Sequence, residues 1–307
     1  MKGNTVAVKK QSKTNWKNIL FCCLVLAFPL IQFAVFYIGV NFNSIFLSLK
    51  NYDYETGAYS FAGFDNFKMV VYNFKELYVL KKSLGNSIIL ICCSIFIGMT
   101  LSVHFSFFIH KKVFGYKTYK VVLFLPNIVS MIVMVLVFKY FVESALPDIL
   151  EKITHKKQEG LLANPDTTFG VLIFFSVWVG FGVQMLMFSG AMSGIDESVI
   201  EAAQLDGVSF FQELYLIVFP LIFPTVITFI TVGVAAIFTN QMNLYSFYGS
   251  KAPNDVSTLG YYFYKQTLSA SIGEYPYLAA FGIVMSCFSI PVTIAVRKLL
   301  EKVGEKF

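Results

Sequence analysis

Long apolar runs are the feature that most limits how this chain can fold. A helix of about 20 apolar residues crosses the hydrocarbon core of a bilayer. The chain has 307 residues, of which 56% are hydrophobic and only 14% charged, and this is too apolar for one soluble domain of that size. We therefore expect an all-α integral membrane protein with six transmembrane helices. The predicted spans are 19–49, 84–109, 119–141, 168–190, 216–238 and 276–296.

The distribution of basic residues predicts the orientation of these spans. Residues 1–18 contain five lysines and no acid, and a compact basic turn with Lys111 and Lys112 follows the second span. Basic residues stay on the cytoplasmic side of a membrane, so both termini are expected there. The predicted divisions are a basic cytoplasmic N-terminus (1–18), a six-span transmembrane domain (19–297) and a cytoplasmic tail (298–307). The segments 50–82, 143–167 and 239–275 are then outer loops.

The predicted spans carry few chemically reactive groups. The third contains Pro126, which should kink it, and Lys139 near its outer end, where the ammonium can reach the interface. Spans two, four, five and six have no Asp, Glu, Lys or Arg in their cores. The five cysteines lie in apolar runs, and the three histidines lack ligand spacing. We predict no catalytic residues, metal ligands or cofactor in this chain.

The sequence lacks a motif for binding ATP. If the protein transports a solute with the energy of ATP, that energy must therefore come from another chain. No GxxxxGK[ST] phosphate loop is present. Ion-coupled carriers commonly place an acid or a charged pair near the bilayer midplane, and the charge-free cores argue against that class. Backbone carbonyls can also bind sodium, so a stand-alone ion-coupled transporter of a polar solute is kept as the alternative.

The polar stretch 195–215, between the fourth and fifth spans, has strong local structure signals. Asp196 suits a helix N-cap, with Ile195 and Ile200 as a hydrophobic staple across it. Gly207 suits a left-handed C-cap, and Ser209 with Gln212 forms a capping-box pattern. The stretch, here called the connector, is predicted to be a helix of two to three turns, a sharp turn and a second helix.

The connector has only acidic charges, and these allow two interpretations. A solvated loop is the simpler one, and a segment that docks on a basic partner is the other. The acids are Asp196, Glu197, Glu201, Asp206 and Glu213.

The spacing of Glu201-Ala202-Ala203, Gly207, Ile217 and Pro220 resembles the EAA loop of bacterial ABC-importer permeases. The tripeptide Leu205-Asp206-Gly207 is most similar to the MalF-like branch of the carbohydrate-uptake permeases. The chain departs from that family at Phe219, where the family usually has Leu. Further similar patterns extend the resemblance over about residues 15–300, and these are Leu125-Pro126-Asn127, Trp178 to Gly182 and Phe61 to Phe67.

This resemblance implies a MetI/MalF-like permease fold in the bacterial plasma membrane. It implies three protein partners besides membrane lipid: a second permease in a heterodimer, a cytoplasmic ATPase dimer that binds ATP and Mg, and an extracytoplasmic solute-binding protein. No nucleic-acid partner is implied. The residues expected to couple to the ATPase are Glu201, Ala202, Ala203, Asp206 and Gly207.

Two groups of neutral polar residues are candidates for the substrate path. Ser176, Gly180 and Gln184 recur every fourth residue on one face of the fourth span, and Thr239, Asn240 and Asn243 cluster at the outer end of the fifth. Amides and hydroxyls beside aromatic rings suit a sugar. Small and amide residues also pack membrane helices, so that alternative stays open. In MalF-like relatives the sugar contacts come from these same two helices.

The leading hypothesis is therefore a permease subunit, and not an enzyme, of an ATP-driven importer for an oligosaccharide or other carbohydrate. An ion-coupled carrier or channel that works alone is the second hypothesis. A membrane scaffold is the third, disfavoured by the polar face of the fourth span.

Overall fold

The computed structural model describes residues 16–306 of the chain. Most of the predicted basic N-terminus (1–18) and the last residue of the predicted tail (298–307) therefore lie outside the described residues. The described helices are α1 (Ile19–Ser48, helical from Trp16), α2 (Asp65–Glu76), α3 (Tyr78–His110), α4 (Tyr116–Phe124), α5 (Met131–Thr154), α6 (Pro165–Ser193), α7 (Glu197–Leu205), α8 (Phe210–Ala235), α9 (Leu244–Tyr248), α10 (Leu259–Ser269) and α11 (Tyr275–Gly304). Strands β1 (Lys50–Asp53) and β2 (Ala58–Phe61) pair in an antiparallel hairpin.

The chain is mainly α-helical, as predicted. By length and composition, α1, α3, α6, α8 and the stretch Ile272–Gly304 that contains α11 can each cross a membrane. These correspond to five of the six predicted spans, and α3 and α8 begin six residues earlier than predicted. The chain direction alternates along the bundle. The connector and the turn after α3 share one end, here called the connector end, and the β1–β2 hairpin lies at the opposite end.

The third predicted span differs from the prediction. Instead of one kinked helix over 119–141, α4 leads into a 3₁₀ turn (Leu125–Asn127), and α5 leaves it at an angle of 100° to α4. Pro126 has no N–H to continue the helical ladder, and the extended ψ of 133° at Ser130 completes the break. Together α4 and α5 form at most one broken span.

Helix α6 covers this break. The Asn127 side chain donates a hydrogen bond of 3.1 Å to the Val179 carbonyl of α6. Gly182 lies against the same turn, since a Cβ atom there would come within 2.8 Å of the Leu123 carbonyl oxygen. Backbone groups freed by a break inside a membrane must find partners in neighbouring helices. Gly182, the second glycine of the Trp178 to Gly182 pattern, thus has a packing role.

Small residues bring α3 and α6 together. Gly98, Ser102 and Ser106 recur every fourth residue along α3, and both serines are fully buried. Ser106 donates 2.7 Å to the Met185 carbonyl, and Ser102 donates 3.3 Å to Oε1 of Gln184. Close packing and interhelical hydrogen bonds hold membrane helices together, because lipid tails are as apolar as the side chains themselves. The close α3–α6 contact fixes the relative position of these two helices at the connector end.

The predicted outer loops are more ordered than expected. Segment 50–82 folds into the hairpin, α2 and the start of α3, while 239–275 contains α9 and α10. Buried amides fasten these segments, since Asn86 of α3 donates to the carbonyls of Asp255 (2.7 Å) and Ser257 (2.9 Å). Asn66 likewise donates 2.9 Å to the Ser48 carbonyl at the end of α1. Such long-range bonds leave no local pattern in the sequence.

Lys139 makes a contact within the bundle that the sequence analysis did not predict. It is half-buried, donates 3.3 Å to the Phe247 carbonyl at the end of α9, and lies 5.6 Å from the Tyr248 ring centre. A lysine can stabilise the unpaired carbonyls at a helix C-terminus. Its role here is to hold α9 against α5.

Candidate functional site

The connector begins with the predicted N-cap. Asp196 Oδ1 accepts hydrogen bonds from the Ser198 backbone N–H (3.0 Å) and hydroxyl (2.9 Å). These two bonds, the backbone one first, hold the pKa of Asp196 below its usual value. The cap therefore persists at neutral pH and starts α7, which has nine residues and a length of about 13 Å.

A complete Schellman motif ends α7. Gly207 has a φ of +80°. Its N–H donates a hydrogen bond of 3.1 Å to the Gln204 carbonyl, and the Val208 N–H donates one of 3.3 Å to the Ala203 carbonyl. The predicted capping box follows, with the Ser209 N–H donating 2.8 Å to Oε1 of Gln212. The helix, turn and helix prediction is confirmed. The second helix is the first turn of α8 itself, so the connector runs into a membrane span without an intervening loop.

One face of α7 rests on the bundle and the other is exposed. Ile195 and Ile200 pack against a buried cluster around Phe188 and Leu214, and Ala203 is 8% exposed. Four of the five predicted coupling residues are exposed, namely Glu201, Ala202, Asp206 and Gly207.

The same exposed face carries a side chain that the sequence analysis missed. Leu205 is 89% exposed, although the chain returns to the membrane only a few residues later. A single exposed leucine is common on protein surfaces, so Leu205 adds apolar area to this face but does not by itself define a docking site. The only indication in the sequence that Leu205 would be exposed was its position next to Asp206 and Gly207 at the end of α7.

Glu213 departs from the predicted acidic surface. Its carboxylate is 2.7 Å from Lys111 Nζ in the turn after α3, and the two side chains are 4% and 20% exposed. The sequence analysis grouped Glu213 with the other connector acids, but this acid is compensated within the chain. The sequence contained one indication of this ion pair: the basic turn after the second predicted span and the connector were predicted to lie on the same side of the membrane.

The three candidate path residues on α6 lie in different surroundings. Gly180 is exposed, with open space where a side chain would stand. Gln184 is half-buried and accepts the hydrogen bond from Ser102 described above. The Ser176 hydroxyl is buried and has no hydrogen-bond partner among the described residues.

The other three candidates lie in the turn after α8, which ends at Ala235. The Asn240 side chain accepts 2.9 Å from the Met242 N–H, and Asn243 has a left-handed φ of +54°. Thr239 lines a cavity of about 290 Å³ between α8, α10 and α11. Within residues 16–306, no hydrogen bond joins this group to the α6 candidates.

That cavity contains polar groups which the sequence analysis missed. Ser286 and Ser289 of α11 line it together with three aromatic rings, those of Phe238, Phe263 and Phe281. The serines lie one turn apart inside a predicted apolar span, and hydroxyls there were not considered. Among the described residues, no three His, Cys, Asp or Glu side chains are grouped to hold a metal ion.

Comparison with known proteins agrees with this architecture. The chain is 22% identical to the multiple sugar-binding transport system permease protein MsmF of Streptococcus mutans over 278 residues, 90% of this chain and 94% of that protein. It is 23% identical to the arabinooligosaccharides transport system permease protein AraP of Bacillus subtilis over 298 residues, 94% and 92% of the two chains.

A solved structure has the same fold. A chain of a bacterial ABC transporter involved in the import of the acidic polysaccharide alginate superposes with a TM-score of 0.76 at 18% identity, covering 94% of this chain and 98% of that one. The model of the binding-protein-dependent transport system inner membrane component matches residues 94–304, which include the connector. The chain is a multi-pass membrane protein and belongs to this family of inner membrane transport components.

Proposed function

We propose that this chain is one permease subunit of an ATP-driven, binding-protein-dependent importer for an oligosaccharide or other carbohydrate. The observation that carries the proposal is the exposed face of α7 with Glu201, capped at both ends and joined directly to a span. A separate ATPase, which holds ATP and Mg, binds this face on the cytoplasmic side. The chain itself catalyses no reaction and binds no cofactor.

The geometry of the connector supports this coupling. A helix of nine residues with capped ends moves as one body, and the first turn of α8 leaves no flexible linker that would absorb its displacement. Closure of the ATPase would shift α7 and with it α6 and α8. The coupling residues are Glu201, Ala202 and Asp206 on the exposed face, with Ala203 and Gly207 setting the shape of the element.

A second permease is supported by the exposure of α1. From Ile19 to Val40, every side chain is exposed except the half-buried Ala27, and only the end of the helix packs on α11. A heterodimeric partner would cover this helix. The proposed solute-binding protein would dock at the opposite end of the bundle, over the β1–β2 hairpin.

A carbohydrate fits the polar groups near the path. Ser176 and Gln184 on α6, with Thr239, Asn240 and Asn243 beyond α8, offer neutral hydroxyls and amides, and Gly180 leaves open space beside the first two. Aromatic rings stand beside Thr239 in the 290 Å³ cavity. Sugar rings pack on aromatic faces while their hydroxyls form hydrogen bonds. Relatives named for multiple sugars and arabinooligosaccharides support the same substrate class.

Substitution Glu201→Lys tests the coupling. It places a positive charge on a face that meets a basic partner, and like charges facing each other across an interface cost several kcal/mol. We expect uptake of labelled oligosaccharide into proteoliposomes to be lost and the ATPase no longer to copurify, while membrane insertion is unchanged. Glu151→Lys, an exposed acid on α5 away from the connector, is the matched control and should transport normally.

Normal uptake by Glu201→Lys would contradict the coupling role. Uptake by this chain alone in liposomes, without ATP, would instead establish the ion-coupled alternative. The absence of charged residues from the cores of α3, α6, α8 and α11 disfavours that outcome.

A further inference from the structure

One face of α3 is fastened to the start of α8. His104, Phe107, Phe108 and Lys111 recur at helical spacings of three and four residues near the connector end, so they form one stripe. Each of them contacts a residue between Phe210 and Tyr215. We call this set of contacts the α3–α8 clasp, and its pairs are His104–Tyr215, Phe107–Phe210, Phe108–Phe210 and Lys111–Glu213.

The ion pair is the most constrained part of the clasp. Lys111 Nζ lies 2.7 Å from the Glu213 carboxylate and 6.0 Å from the centre of the Phe107 ring. The carboxylate is almost fully buried, and a buried charge that loses its partner is strongly destabilised. Lys111 and Glu213 are therefore held in one relative position as long as the clasp is closed.

The other contacts extend the clasp along α3. The ring of Phe210 lies 4.7 Å from that of Phe107, centre to centre. The His104 ring bridges two groups, since Nδ1 lies 2.7 Å from the Thr100 carbonyl oxygen and Nε2 lies 2.6 Å from the Tyr215 hydroxyl. Three levels of contact prevent the start of α8 from sliding along α3.

Helix α3 connects the clasp to distant parts of the molecule. It has 33 residues and is about 50 Å long. Just before the clasp, Ser102 bonds to Gln184, and towards the other end of α3 Asn86 holds the carbonyls of Asp255 and Ser257. Thr258, the next residue, donates 2.9 Å to the carbonyl of Asn240. A shift of α3 would therefore reach residues on both sides of the proposed substrate path.

We propose that the clasp makes α3 a third helix driven by the connector, and that Lys111 and Glu213 are positioning residues for transport. Displacement of α7 passes through residues 209–213 into α3 as well as into α6 and α8. This inference rests on the proposed coupling of α7 to an ATPase.

Charge exchange tests the clasp in the whole complex of both permeases, ATPase and binding protein. We expect Lys111→Glu and Glu213→Lys each to lower the ratio of oligosaccharide transported to ATP hydrolysed by about fivefold or more, a usual size for coupling between sites. The double variant should recover most of the ratio, and Lys111→Arg should keep it. Glu213→Gln is a milder change that should also lower this ratio. It provides the test if the charge reversals disturb folding.

A second ion pair of the chain provides the matched control. Arg297 and Glu301 lie 2.8 Å apart on α11, with side chains 63% and 46% exposed. Exposed pairs of this kind contribute little, so Arg297→Glu and Glu301→Arg should leave the ratio unchanged.

The outcomes separate the clasp from the proposed function. An unchanged ratio in Glu213→Gln and both charge reversals would overturn the clasp alone, as would a loss that the double variant does not recover. If the variants alter only assembly of the complex while the ratio stays normal, the pair is merely structural and the proposal is wrong. Absence of ATP-driven uptake by the wild-type complex would overturn the proposed function and, with it, this inference.

Discussion

Polar side chains in the α3–α6 interface bond to groups on both helices, and the identity of these partners decides what each side chain does. Gln184 illustrates this, since its Oε1 accepts from the buried Ser102 hydroxyl while the amide is only half-buried. The bond fixes the amide on the side of α6 that carries Gly180 one turn away. Packing and substrate contact are therefore compatible roles for one residue.

Comparing Gln184→Ala with Ser102→Ala separates these roles. Both substitutions remove the same interhelical hydrogen bond, which is worth about 0.6 kcal/mol in membrane proteins. We expect only Gln184→Ala to change the affinity or range of transported sugars, because it alone removes an amide from the proposed path. The measurement is competition of unlabelled sugars against labelled oligosaccharide uptake. Matching profiles for the two variants would assign Gln184 to helix packing.

At the scale of an element, the connector owes its shape to short-range hydrogen bonds within residues 196–212. Asp196 caps the start of α7, Gly207 ends it, and the Ser209–Gln212 box begins α8. Because each of these bonds is local, the element keeps its shape when the bundle around it moves. A rigid element is what the transfer of a movement from a partner requires.

Substitutions at Gly207 test this rigidity. A Cβ atom at this position would meet nothing within 4 Å, so the cost of a side chain comes from the φ of +80° alone. Gly207→Val should therefore lose about 1–3 kcal/mol of local stability and most of the uptake. Asn tolerates this conformation better than other residues, so Gly207→Asn should retain more uptake than the valine variant. Equal uptake by both variants would show that the left-handed turn is unimportant for transport.

At the scale of the whole molecule, most of one long apolar helix is exposed among the described residues. Helix α1 is held to the bundle only near its end, where the Ser48 carbonyl accepts from Asn66. A span covered only by lipid needs no specific position, whereas a span that wraps a second subunit must be held at one angle. If the proposed function is correct, α1 is expected to contact the second permease.

Photo-crosslinking from α1 tests the arrangement. A benzoyl-phenylalanine at Phe28, which is exposed, should form an adduct with the second permease in the assembled importer. The same probe at Phe107, which is fully buried, should form adducts only within the chain. The measurement is mass spectrometry of the crosslinked complex. Adducts from position 28 with lipid only would argue against α1 as the subunit contact.

Properties that depend on composition and on nearby residues could be read from the chain without its fold. Spans follow from apolar length, and the capped connector follows from residue types a few positions apart, so Asp196, Gly207 and Ser209 were all predicted correctly. The resemblance around Glu201 and Pro220 indicated the family because its spacing is equally local. The termini and the orientation in the membrane stay predictions.

Contacts between residues far apart in sequence were decided by tertiary packing. Pro126 indicated a kink, but the 100° break depends on α6, where Val179 and Gly182 accommodate the turn. Glu213 belonged by sequence to an acidic surface, and only the approach of α3 to α8 paired it with Lys111. The physical reason is the same in both cases: a local pattern specifies how a segment folds, whereas a partner's position depends on how whole helices pack.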